Sequence, residues 1–169
     1  MPLTMYEASV APFRRQLNAL EQILVKAATH VAHKGYDPAN LLQARLYPDM
    51  FPLLRQVQIA CDMAKSGAAR LAGMEPPRHE DNETSFDELR ARIGKTLAFV
   101  ASIDRALIEG GEERPIKVPQ RDRTLELSGR DYLFGYVLPN LHFKAATAYN
   151  IVRHDGGERG KKDFLGGGG

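Results

Sequence analysis

The sequence predicts an all-α fold, a four-helix bundle. A short helical turn follows its first helix and a small β-hairpin precedes its fourth. Three observations predict it. Apolar residues recur at alternating steps of three and four over four long stretches, the period of a helix with one buried face. Helix caps, prolines and glycines punctuate the ends of those stretches. The connections are short, as in a helix bundle. A chain of 169 residues suits one domain, placed at 1–165, with the glycines of 166–169 as a flexible tail.

The first helix is marked by Leu3, Tyr6, Val10, Phe13, Leu17, Leu20, Leu24, Ala27 and Val31 in one stripe. Thr4 and Glu7 form a capping box: the hydroxyl accepts from the third helical amide and the carboxylate reaches back. Pro12 removes one backbone donor, so a kink is expected there, and the unbroken stripe argues for bending over ending. Gly35 caps the helix, and Asp37-Pro38 opens the short turn.

The second long helix is expected to start at Pro48-Asp49. Its inner face is Leu53, Val57, Ala60, Cys61, Ala64, Ala68 and Leu71, and Gly73 ends it. After a polar loop, 74–84, Ser85 and Glu88 repeat the capping box. Phe86, Leu89, Ile93, Leu97, Val100, Ile103 and Leu107 then run to Gly110-Gly111. Between 114 and 127 the period drops to two: Ile116 and Val118, then Leu125 and Leu127, flank a turn and read as a hairpin. Ser128 and Asp131 cap the last helix, 129–154, whose inner line passes through Leu133, Val137, Leu141, Lys144, Ala148 and Ile151. Pro139 is expected to kink it, and Gly156-Gly157 closes it.

Charge and composition exclude several function classes. With 23 Lys and Arg against 21 Asp and Glu the net charge is +2, too little to draw the chain to nucleic acid. No apolar run approaches the ~20 residues of a membrane span, and the N-terminal stretch lacks the basic start and apolar centre of a secretory signal. A lone Cys forms no intrachain disulfide, which suits a cytoplasmic protein. No phosphate-binding glycine loop, GxSxG or HExxH motif occurs. Arg153, Arg159, Lys161 and Lys162 are interrupted by acids and read as a solvated tail.

Five His are enough for a metal site only if three ligands converge. His142 and His154 are separated by roughly 18 Å along a helix axis, so they cannot share one ion. His142 is placed opposite the inner line. His30 and His33 flank the end of the first helix, where imidazoles suit the negative pole of the dipole. His79 is expected to be exposed in its loop. Cys61 faces the core as a small hydrophobe, and Asp62 is expected to face outward with Gln58 as a solvated pair. Lys144 is the most unusual residue. In an inner helical line it must snorkel, pair with an acid or sit in a cavity. With Gln56, Asn140, Thr147 and His154 it would form a pocket for an anionic or hydrogen-bonding ligand. Alternatively, Pro139 rotates the helix register and leaves Lys144 at the surface.

The closing stretch carries a resemblance. It contains Leu138-Pro139-Asn140-Leu141-His142-Phe143, then Thr147-Ala148-Tyr149, Arg153-His154-x-Gly156 and Asp163-Phe164-Leu165-Gly166. Earlier come Ala44-Arg45-Leu46, Pro48-Asp49-Met50-Phe51-Pro52, Arg55-Gln56-Val57-Gln58, Ala60-Cys61-Asp62 and Gly129-x-x-Tyr132-Leu133. Together they resemble a bacterial domain-of-unknown-function family, number 1993 in that series, over nearly the whole chain. That family is similar to the DinB/YfiT-like superfamily of candidate metalloenzymes. The resemblance implies the bundle fold. It also implies a site with one His from the second helix and two from the fourth, serving thiol-dependent transferases or isomerases. This chain departs from that set: its second helix has no His, and Lys144 stands where relatives carry a fourth-helix His.

The expected protein is therefore a cytoplasmic homodimer of the DinB-like type that lacks the metal triad, needs no cofactor and binds a small ligand or acts through assembly. The alternative is a metal- or thiol-dependent small-molecule transferase or isomerase, in which zinc, nickel or iron would be bound. Neither nucleic acid nor membrane is an expected partner.

Overall fold

The computed structural model describes residues 3–158 and 160–167. Helix α1, Met5–Lys34, starts on the capping box: the Glu7 amide donates to the Thr4 hydroxyl at 3.2 Å and the Thr4 amide to the Glu7 carboxylate at 3.3 Å. It continues through Pro12 without interruption, and Gly35, at φ +73°, ends it. The buried stripe begins at Met5, because Leu3 precedes the cap and stays exposed. In the short α2, Pro38–Leu42, Asp37 accepts from the Ala39 amide and Pro38 takes the first turn.

Helix α3, Leu53–Leu71, starts later than the sequence predicts. Residues 47–50 form a turn closed by the Met50 amide on the Tyr47 carbonyl. Phe51 precedes Pro52, and the proline ring pushes its predecessor out of helical geometry. The Leu53 amide is instead spent on the Ala44 carbonyl, which ties α2 to α3. Helix α4, Phe86–Ser102, stops short of Leu107. Asp104 draws its carboxylate onto the Ala106 amide and caps a separate turn, α5, Arg105–Ile108; Ile103 is extended as a result. Ile103 and Ile108 remain in the core, while Leu107 turns half outward.

Strands β1, Pro115–Pro119, and β2, Thr124–Ser128, pair antiparallel, with Ile116 opposite Leu127 and Val118 opposite Leu125. The last long element is composite: α6, Gly129–Asp131, a π turn, Tyr132–Val137, and α7, Leu138–His154. Pro139 supplies no amide to the ladder, and the π turn absorbs the mismatch by lengthening the hydrogen-bonded loop. This shifts the buried line from Lys144 to Ala145, which is buried whereas Lys144 is half-buried. One element escapes the sequence pattern altogether: α8, Lys161–Phe164, lies back on α1. Asp163 pairs with Lys26 of α1, and Phe164 meets the Tyr149 ring edge-on at 6.1 Å. The amides of Gly166 and Gly167 close α8 on the Asp163 and Lys162 carbonyls; the rest of the expected tail, Gly168 and Gly169, lies outside the described residues.

The chain is mostly helical. Helices α1, α3, α4 and α7 pack around a core that includes Phe13, Leu17, Leu20, Leu53, Ile93 and Leu141. No helix among the described residues is long and apolar enough to cross a membrane. Close contact requires glycine at several positions, Gly67 and Gly129 among them. A methyl at Gly67 would come 2.8 Å from Val137 Cγ1 and 3.0 Å from Phe13 Cζ, so α3 rests directly on the π turn and α1. At Gly129 it would come 2.0 Å from the Gly111 carbonyl oxygen, an immovable backbone atom. The neighbouring Arg130 amide donates to the Glu112 carbonyl at 2.9 Å and locks the same junction. Gly129→Ala is therefore expected to lower stability by about 3 kcal/mol or more in denaturant unfolding. Gly135→Ala, where a methyl meets nothing within 4 Å, serves as the tolerated control.

Candidate functional site

The five residues expected to form a pocket part company. Gln56 and Lys144 share only a neighbour, Phe51, one at its carbonyl and the other at its ring. The Gln56 amide nitrogen donates to the Phe51 carbonyl at 2.9 Å, and Lys144 Nζ stands 5.3 Å from the Phe51 ring centre. The Phe143 ring, 5.2 Å away, is the second partner of the ammonium. Asn140 and Thr147 are spent on their own helix, Asn140 donating to the Tyr136 carbonyl at 2.7 Å and Thr147 to the Phe143 carbonyl at 2.7 Å. Both hydrogen bonds stay within the π turn and α7, a structural duty. His154 is exposed at the end of α7, about 15 Å along the axis from Lys144. Of the five, Gln56 and Lys144 lie nearest one another, through Phe51; Phe51 and Phe143, the ring partners of Lys144, were not in the sequence reading.

Around that pair the electrostatics are one-sided. Burial, and then the charge of Arg55, hold the Lys144 ammonium below the ordinary lysine pKa. Arg55 itself lies 6.0 Å from the Phe51 ring centre. Among the described residues no carboxylate lies within ion-pair reach of Lys144, and Gln56 Oε1 is buried with no hydrogen-bond partner.

A second constellation was missed in the sequence. The Arg92 side chain is 1% exposed, yet it carries a full charge. Its guanidinium binds Asp62 at 3.0 Å, Asp81 at 2.9 Å, Glu83 at 3.0 Å and the Glu80 carbonyl at 2.9 Å. Burial alone would pull its pKa down, but the Glu83 hydrogen bond and the Asp62 charge reverse this and leave it raised. Lys65 also holds Asp62, at 2.9 Å. Gln58 donates to Glu83 at 2.8 Å and accepts from Arg55, which pairs in turn with Asp81. Asp62 and Gln58 are thus no solvated pair: Gln58 is buried and both belong to this network, because the loop 74–84 folds its acids back over α3 and α4. The signal was available, since Arg92 falls on the buried face beside Leu89, Ile93 and Thr96 and the preceding loop holds four acids.

Neighbours of the network change character with it. Cys61 is fully buried beside Arg92, and burial pushes its thiol up to about 12, so it is neutral at ordinary pH and no nucleophile. His79 is half-buried and not exposed as expected; burial, then Lys65, Lys95 and Arg92, depress its pKa.

The residues do not suit a divalent metal. Where the resemblance calls for imidazoles, α3 carries no His and α7 carries the ammonium of Lys144. His142 turns instead to Gln16 of α1, with 3.1 Å between Nδ1 and Oε1. Among the described residues no group of three or more His, Cys, Asp or Glu is placed to hold an ion.

Two outcomes test the Arg92 network. Arg92→Met removes the cation shared by Asp62, Asp81 and the mostly buried Glu83, while Lys65 and Arg55 still hold Asp62 and Asp81, and should cost about 1–3 kcal/mol in denaturant unfolding. His79 favours its neutral form in the folded state, so its contribution is whole above the unfolded pKa of about 6.5 and is lost as pH falls below it. Stability should accordingly decline from pH 7 to pH 5, and His79→Asn should flatten that decline.

Comparison with known proteins agrees with the architecture. The family described as Domain of unknown function (DUF1993) matches residues 5–165. A solved structure of a DinB family member protein from Shewanella denitrificans is 39% identical, with a TM-score of 0.85 over 95% of this chain and 90% of that one. No curated protein matches the chain. With the match spanning all the long helices and the hairpin, the chain belongs to the DUF1993 family, with a DinB-like fold.

Proposed function

We propose that this protein is a metal-independent binding protein for a small anionic ligand, recognised on the face shared by α3 and α7 around Lys144. The observation that carries this reading is the unneutralised ammonium of Lys144, held between the Phe51 and Phe143 rings with Arg55 close by. Ring faces attract a cation but do not cancel its charge, and two cations sharing one ring repel each other. A carboxylate or phosphate group at Lys144 would relieve that repulsion, and the half-exposed rings would flank the body of the ligand.

A metal-dependent transferase or isomerase needs ligands that this arrangement does not offer, and Cys61 offers no thiolate. Assembly is the second reading. Phe51 and Phe143 are 51% and 55% exposed on either side of Lys144, a surface that a second copy of the chain would cover.

Metal analysis of protein purified without chelator or affinity tag tests the leading reading. Substoichiometric metal is expected, and stoichiometric zinc, nickel or iron that is lost on replacing His142 or His154 overturns it. Lys144→Met should change stability by less than about 0.5 kcal/mol, since a side chain of similar length is kept and the half-buried ammonium has no ion pair to lose. The same variant should weaken binding of inorganic phosphate, followed by NMR at the Phe51 and Phe143 rings, at least tenfold.

A further inference from the structure

A groove of about 600 Å³ opens between α1, α7 and the closing segment, away from the Lys144 face. Its size is that of a small-molecule site. Ala11 and Pro12 of α1 line it on one side, and Phe164 and Leu165 of the closing segment on the other. Its polar groups are few and distinct. Arg15 is exposed and has no ion-pair partner among the described residues. Gln16 is 6% exposed; its Oε1 meets His142 Nδ1 at 3.1 Å, while its Nε2 is buried with no partner at all. A buried amide N–H without an acceptor costs on the order of 1–3 kcal/mol, so the groove holds a standing demand for an oxygen.

The charges give the groove a direction. Glu7, at its other end, is already engaged by the Thr4 amide and by Arg105 at 3.3 Å. Glu7 and Arg15 lie about 12 Å apart along the helix axis. An anionic group entering the groove is therefore drawn to the Arg15 end, next to Gln16. The remaining length is apolar, over Ala11 and Pro12 and against Phe164 and Leu165.

We propose that this groove is a binding site for an amphiphilic monocarboxylate, a short acyl or aryl chain with one acid group. Arg15 holds the carboxylate through paired N–H donors. Gln16, oriented by His142, offers its free N–H to the same group. The chain or ring of the ligand lies beneath Phe164 and Leu165, so that α8 acts as a strap over it, fastened by the Asp163–Lys26 pair and the Phe164–Tyr149 contact.

The test is an NMR titration of the full chain with octanoate and with benzoate, and with octanamide and benzamide as neutral counterparts. Saturable shifts of the His142 ring and the Gln16 side-chain amide are expected with both acids, at a dissociation constant below about 1 mM. The amides and Arg15→Gln should each lose at least tenfold in affinity, and Arg15 is exposed enough that its replacement leaves the fold intact, as circular dichroism would verify. Lys144→Met should leave the binding unchanged, which separates this site from the Lys144 face. Absent shifts, amides that bind as well as the acids, or indifference to Arg15→Gln would overturn the proposal. So would loss of the acids in Lys144→Met, which would place them on the other face.

Discussion

A single buried guanidinium holds the middle of this structure together. Arg92 is removed from water, and an isolated charge in such a place would cost several kcal/mol. It is tolerated because Asp62 from α3 and Asp81 and Glu83 from the loop converge on it. The attraction works in both directions. The loop 74–84 contains no helix or strand, and its acids are what fix its path across α3 and α4. The core beneath depends on that lid as well: Cys61 and Thr96 sit directly under the charge cluster, sealed from solvent.

A second constraint is one of register. Pro139 cannot donate, and the chain answers with a π turn just before it and an Asn140 side chain that reaches back to Tyr136. Everything downstream is rotated. Ala145 enters the core where the helical period would have put Lys144, and Lys144 is moved to the rim, where Phe51 and Phe143 receive it. The same rotation carries His142 toward α1 and Gln16. Two candidate sites on opposite sides of α7 thus owe their geometry to one proline.

What the sequence revealed follows from what is local. Capping boxes at Thr4–Glu7 and Ser85–Glu88, the hairpin register and the stripes of α1 and α3 are legible because each is written within a few neighbouring residues. The break at Ile103 was hidden because Leu107 keeps the helical spacing after Ile103 and the stripe reads straight across, although the core takes Ile108 and Leu107 is exposed. Helix α8 was hidden because four residues are too few to show a period. The site was only half legible. Lys144 stands out as a charge in an apolar line, but its aromatic partner Phe51 arrives from the loop before α3, and no spacing on α7 announces it. Arg92 could be seen to face inward, whereas the acids that permit this come from a loop with no periodicity.

The burial of Cys61 has one more consequence. No small oxidant or disulfide reaches a thiol that is both sealed and neutral, so oxidation of the folded chain can proceed only as fast as the α3–α4 layer opens. Chemical modification at Cys61, the chain's one sulfhydryl, thereby records how often the core around it opens.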